Sequence, residues 1–323
     1  VKTHSLPLMR LIIIITSINQ TLVAEFVLQG FSEIPQLQPF LFTAFLLLYL
    51  MALTGNLVIV MAICLDSNLH TPMYFFLANL AIIDIGCTST VLPKLLENLV
   101  VEKKSISFNG CMTQLFFFSW FLGTELLLFT AMAYDRYVAI CHPLHYSAMM
   151  NKMVCTFLVG SVWTTGTLSS SLQTGLMVRL TFCGPNQINH FLCEVPTLLL
   201  LSCTSTYLND IMIVIADIYF GVVSFVLTMV SYGFIISNIL KIRTTEGKKK
   251  AFSTCSSHLI VVTIYYTTIT YTYMLPGSSS SMDNGKVVAL LYTTVSPTLN
   301  PLIYTLRNKD FKTALKKLFP SVL

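Results

Sequence analysis

From one end of the chain to the other, long apolar runs alternate with short polar breaks. Runs long enough to cross roughly 30 Å of hydrocarbon recur near 38–63, 72–97, 108–140, 153–172, 207–240, 250–275 and 286–306. Several contain Gly, Ser or Thr, which membrane helices tolerate because neighbouring helices satisfy the freed polar groups. The pattern predicts an all-α membrane protein, a seven-transmembrane helix bundle. Residues 1–37 then form an N-terminal segment, 38–306 the bundle and 307–323 a tail. From Asn308 to Phe319 the tail has apolar positions at helical spacing and a basic face. That suits a short amphipathic helix lying on membrane lipid.

Composition strengthens this reading. The 323 residues are 54% hydrophobic and only 10% charged, with a mean hydropathy of +0.74. A soluble domain carries about 25% charged residues, so too few are present here to wet a surface. The net charge of +5 is gathered in short loops, which argues against a nucleic-acid face and for membrane topology. Lys241, Arg243, Lys248, Lys249 and Lys250 lie between the fifth and sixth runs, and Arg307, Lys309, Lys312, Lys316 and Lys317 follow the seventh. By the positive-inside rule both sides are cytoplasmic, which puts the N-terminus outside. The opposite loops are mixed, with Lys103 and Lys104 beside Glu102 and Lys286 beside Asp283. The sequon Asn19-Gln20-Thr21 falls on the outer side, where Asn19 is open to glycosylation. The run Met9-Arg10 to Ile15 resembles the start of a signal peptide but is too short to span and lacks a convincing cleavage site. Residues before Met9 could then be a gene-model artefact, with the first span acting as the targeting signal.

The nine cysteines, Cys64, Cys87, Cys111, Cys141, Cys155, Cys183, Cys193, Cys203 and Cys255, do not have zinc-site spacing. Cys183, Cys193 and Cys203 share one polar inter-span segment, where an extracellular position would permit disulfides. Two acids, Asp84 and Glu125, fall at membrane depth, where ionisable groups are expensive and face the bundle interior or water.

The third run ends in Met132-Ala133-Tyr134-Asp135-Arg136-Tyr137-Val138-Ala139-Ile140-Cys141. By itself the Asp135-Arg136 pair could be a snorkelling interfacial arginine. The whole string resembles the signature of odorant receptors, a subset of rhodopsin-like G-protein-coupled receptors. Further motifs agree in order: Gly55-Asn56; Leu69-His70-Thr71-Pro72-Met73-Tyr74 with Asp84; Pro143-Leu144-His145-Tyr146; Ser231-Tyr232; the stretch from Lys250 to Leu259; and Pro297-Thr298-Leu299-Asn300-Pro301-Leu302-Ile303-Tyr304. The likeness runs from about Glu25 to about Lys317 and fits the tetrapod-type class. One departure is Tyr265-Tyr266-Thr267, where the family usually has Phe-Tyr-Gly, and Thr267 would add a hydroxyl at the pocket floor.

The resemblance implies a multi-pass plasma-membrane odorant receptor, not an enzyme and without a cofactor. Its partners would be a small volatile ligand, lipid and a heterotrimeric stimulatory G protein that raises cyclic AMP. The implied ligand pocket uses Phe118, Ser119, Leu122, Gly123 and Leu126 on the third span, Ala216, Asp217 and Phe220 on the fifth, and Tyr266, Thr270 and Tyr273 on the sixth. Asp217 would hydrogen-bond a ligand hydroxyl or pair with an amine, unless it faces Tyr273 or water. Asp135, Arg136, Tyr137, Tyr232, His258, Asn300, Pro301 and Tyr304 would form the switch and G-protein surface, with Tyr232 as one partner of Tyr304. His258 could instead be a satisfied structural histidine. The sixth span lacks the usual receptor proline, its first being Pro276, so its motion would depend on its Ser/Thr/His-rich base. Asn56, Asp84, Glu125 and Asn300 would form a polar core, either binding sodium or closed by its own hydrogen bonds. The family pairs Cys111 with Cys193 and Cys183 with Cys203. A chemoreceptor acting outside olfaction shares every one of these features. A transporter would need inverted repeats or a charged path through several helices, and an intramembrane enzyme a nucleophile–base pair; neither pattern is present.

Overall fold

The computed structural model describes residues 23–31, 35–274, 279–306 and 309–318. Seven long helices dominate them. Helix α1 is Gln38–Leu65, α2 Pro72–Val100, α3 Phe108–Cys141 and α4 Lys152–Val178. Helix α5 covers Tyr207–Lys241 with a π-helical stretch at Asp217–Val223, and α6 is Thr245–Met274. Helix α7 joins Ser279–Leu290, a π-helical stretch Leu291–Val295 and Ser296–Leu306. The short α8, Lys309–Leu318, follows.

Local chemistry sets the helix starts. Prolines occupy the first turns of α1 and α2, where the missing N–H has no intrahelical partner to lose. Ser107 caps α3 by accepting from the Gly110 amide (3.1 Å), and Asn151 caps α4 by accepting from that of Val154 (3.0 Å). α1, α2, α3 and α5 are each long and apolar enough to cross a membrane. α4, α6 and α7 are equally long but more polar. α6 and α7 begin several residues before the apolar runs near 250 and 286, and α4 ends six after its run. Hydropathy marks only the lipid-contacting part of a helix, whereas the backbone ladder continues into the polar zone.

Apolar side chains point outward over much of α1 and α5, with Phe40, Leu47, Leu57, Phe225 and Phe234 all exposed. Polar ones, including Asn56, Asp84, Glu125 and Asn300, are buried. One end of the bundle carries a feature the hydropathy pattern does not contain, a three-stranded sheet of β1 (Glu25–Leu28), β2 (Ser105–Ser107) and β3 (Gln187–Ile188). β1 is central, antiparallel to β2 with Phe26 opposite Ile106, and parallel to β3 with Leu28 opposite Ile188. Phe26 and Leu28 face a small core with Ile106, Met112, Phe182 and Leu198, and the Phe26 and Phe182 rings meet edge to face at 5.4 Å. The opposite end carries Arg136. There Phe311 and Ala314 of α8 are buried while Lys312, Lys316 and Lys317 are exposed, and Lys317 reaches Asp66 at 3.4 Å.

Close helix approach depends on small residues. A side chain at Gly166 of α4 would collide with the Thr124 hydroxyl and press on Trp120 of α3, whereas Gly175 has open space. Gly166→Leu is therefore expected to cost roughly 1–3 kcal/mol by overpacking. Gly175→Leu should leave stability unchanged or slightly raised. Thermal midpoints of the purified variants check the contrast.

Candidate functional site: a lidded cavity and the polar core beneath it

Between α3, α4, α5 and α6, near the sheet end, lies a cavity of about 110 Å³. Phe118, Ser119, Leu122, Gly123 and Leu126 line it from α3, and Ala216, Asp217 and Phe220 from α5. These eight sequence-based candidates come together. The absence of a side chain at Gly123 matters, since a Cβ there would stand 3.2 Å from the Phe220 ring.

Three candidates on the sixth span differ. Thr270 is exposed on α6, and Ile269, one position earlier and about 100° around the helix, lines the cavity instead. Tyr266 lies outside the lining: its hydroxyl meets Ser224 Oγ at 2.6 Å, and Ser224 donates to the Leu126 carbonyl at 2.9 Å and meets Thr130 Oγ1 at 2.6 Å. The Tyr273 side chain lies outside the described residues, as do the Tyr304 side chain, Asn19 and Pro276. Thr267, expected at the pocket floor, is exposed on the far side of α6.

Ser169 and Gln173 of α4 and Glu194, Val195 and Pro196 of the connection to α5 complete much of the wall. Sequence reasoning missed them; adjacency of Glu194 to Cys193 was the available signal. That connection is a lid, fixed by disulfides Cys111–Cys193 and Cys183–Cys203, with Cα separations of 5.5 and 5.7 Å. Gln114 ties it further, accepting from the Cys193 amide (2.9 Å) and donating to the Thr90 carbonyl of α2 (3.1 Å).

Inside the lid, burial pushes the His190 imidazole down from its usual range. Glu194 opposes that shift and the Lys286 charge adds to it. The Leu192 amide donates to Nδ1 at 3.3 Å, which leaves the neutral ring's proton on Nε2, 3.6 Å from Glu194 Oε1.

Beneath the cavity the polar core divides into three links. Asn300 Nδ2 donates to Asp84 (3.0 and 3.3 Å). Tyr265 donates to Glu125 Oε2 at 2.6 Å, a bond that phenylalanine, usual at this position in the resemblance, cannot make. Asn56 joins α1 to α7 through the Pro297 carbonyl (3.0 Å) rather than meeting Asp84. Glu125 Oε1 and Asn300 Oδ1 accept no hydrogen bond among the described residues, so spare oxygens exist for a water or a sodium ion.

At the far end Arg136 pairs with Asp135 at 2.7 Å, and Tyr146 donates to Asp135 at 2.8 Å. Burial and the Asp135 charge push the Tyr146 phenol up, so it stays a donor. Tyr137 meets His142 at 3.1 Å. Tyr232 bonds His258 Nδ1 at 2.6 Å, while its expected pairing with Tyr304 falls on a side chain outside the described residues. His258 Nε2 is buried and has no hydrogen-bond partner among the described residues. Pro301 packs against Gly55 of α1.

Seven long helices around a polar centre, with a lidded cavity at one end and an acid–arginine pair at the other, have the build of a G-protein-coupled receptor. The chain belongs to the olfactory receptor family, whose model matches residues 45–321. It is 60% identical to human olfactory receptor 13A1 over 302 residues, 94% of this chain and 92% of that protein. Human olfactory receptor 13G1 is 51% identical over 93% of this chain and 98% of its own length. Mouse olfactory receptor 5AP2 is 51% identical over 93% and 95%. Such proteins are multi-pass plasma-membrane receptors for odorants that act through G proteins, and they are not enzymes.

Two outcomes follow from the geometry. Tyr265→Phe leaves Glu125 without its phenol donor and should lower stability by roughly 1–3 kcal/mol, read as a thermal midpoint. His190 titrates lower folded than unfolded, so at neutral pH neither state carries its proton and no cost arises. As pH falls below about 6.5, the unfolded chain takes up the proton first and stability is lost. Melting temperature should therefore fall with acidification below that point, and His190→Gln should remove this part of the slope.

Proposed function

We propose that the cavity receives a small odorant and that the Arg136 end then engages a stimulatory G protein, which raises cyclic AMP. The observation that carries this reading is the cavity itself, small, mostly apolar and walled on one side by a disulfide-fixed lid, the usual design for a small-molecule site. From Leu126 on its wall to Arg136 is ten residues of one continuous helix, about 15 Å. Lys241 at the end of α5, Arg243 in the connection and Lys248 at the start of α6 support a cytoplasmic Arg136 end and an outer sheet end. Residues 1–37 would then be the outer segment, 38–306 the bundle and 307–323 the inner tail, with α8 on the inner leaflet. In the switch, Arg136 leaves Asp135, Tyr232 and His258 part, and α7 adjusts near Asn300 and Pro301. Sodium at Asp84 and Glu125 would favour the resting arrangement.

The test is a broad odorant screen on the receptor expressed in cells, read by cyclic AMP. At least one agonist should raise cyclic AMP, and Arg136→Ala should abolish that response while surface expression persists. An agonist response that survives Arg136→Ala at full size would remove Arg136 from the coupling surface.

A further inference from the structure

We infer that the cavity selects compact amines, bound as ammonium ions on Asp217. This rests on the cavity being the odorant site. Its wall holds two acids, Glu194 and Asp217, and no Lys, Arg or His stands among its lining residues. The remaining polar groups, Ser119, Ser169 and Gln173, are neutral.

The two acids are not equivalent. Glu194 is buried in the lid beside His190, with the Lys286 charge acting on the same imidazole. Asp217 is half-buried and has no hydrogen-bond or ion-pair partner among the described residues. It opens the π-helical stretch of α5, whose wide turn sets Asp217, Phe220 and Gly221 on the same wall; such turns are frequent at functional sites.

A carboxylate on an apolar wall is costly without a counter-charge. An ammonium supplies both charge and donors, and the charge-assisted bond is about twice as strong as a neutral one. An alcohol brings one donor and leaves the charge uncompensated. A carboxylic acid, ionised at neutral pH, brings a further carboxylate to a wall that already holds two acids. The hydrocarbon part meets Phe118, Leu122 and Leu126. An apolar cavity of about 150 Å³ holds benzene, so a volume near 110 Å³ fits a chain of about four to six carbons.

The test compares pentylamine, 1-pentanol and pentanoic acid at neutral pH on the surface-expressed receptor, together with a mixture of neutral odorants. Pentylamine should act at a concentration at least about tenfold lower than 1-pentanol, with no response to the acid. Asp217→Asn should raise the concentration of pentylamine needed by roughly 10- to 100-fold, and Asp217→Glu should retain more of the response. Responses to neutral odorants alone, an acid as potent as the amine, or an amine response unmoved by Asp217→Asn would each overturn the inference and leave the odorant reading intact. Silence toward every compound counts against both. If Asp217→Asn does not reach the surface, thermal stabilisation of the purified wild type decides: a larger shift with pentylamine than with 1-pentanol supports the inference, and an equal or smaller one overturns it.

Discussion

Lipid offers a helix no hydrogen-bond partner, and most of this structure follows from that constraint. Backbone groups must pair within each helix, and polar side chains must turn toward the bundle centre. There they become the specific joints: Asp84 with Asn300 joins α2 to α7, Glu125 with Tyr265 joins α3 to α6, and Asn56 with the Pro297 carbonyl joins α1 to α7. Apolar packing cannot set these registers alone, because the lipid outside is as apolar as the leucines inside. Small residues supply the remaining specificity by letting backbones approach, as Gly55 does against Pro301 and Gly166 against Trp120.

α3 runs through every level of this arrangement. Its first two turns hold the lid through Cys111 and Gln114, its middle lines the cavity and carries Glu125, and its end presents Asp135 and Arg136. Between cavity and arginine lies the hydroxyl cluster of Thr130, Ser224 and Tyr266, which binds α3, α5 and α6 immediately below Leu126. A ligand touching Leu126 and Phe220 therefore borders a set of short bonds among the helices that would have to shift. It can bias them only by its difference in affinity between the two arrangements.

The seven spans and the cavity's α3 and α5 faces were legible in the sequence, because a helix writes its lipid-facing length as hydropathy and its motifs as fixed strings. The sheet was not. β1 is four residues long and pairs with partners about 80 and 160 positions away, and no local pattern encodes that register. The rotation of α6 was also misjudged: Thr, Tyr and Ile alternate around every face of its second half, which gives no phase, so Thr270 and Ile269 could not be told apart. The lid's share of the cavity was hidden because the spacing of Cys193 leaves open where the disulfide folds Glu194.

The departure at Tyr265-Tyr266-Thr267 gains a different meaning from the structure. The added hydroxyl that matters is not on Thr267, which faces outward, but on Tyr265, fully buried against Glu125. Its bond crosses the interface between α3 and α6 at the level of the polar core. Any movement of α6 away from α3 must break that bond or carry Glu125 along. An agonist must then supply correspondingly more differential affinity to populate the moved arrangement. A receptor with this extra tie rests more firmly when empty, and its cavity contacts must be correspondingly well matched to move it.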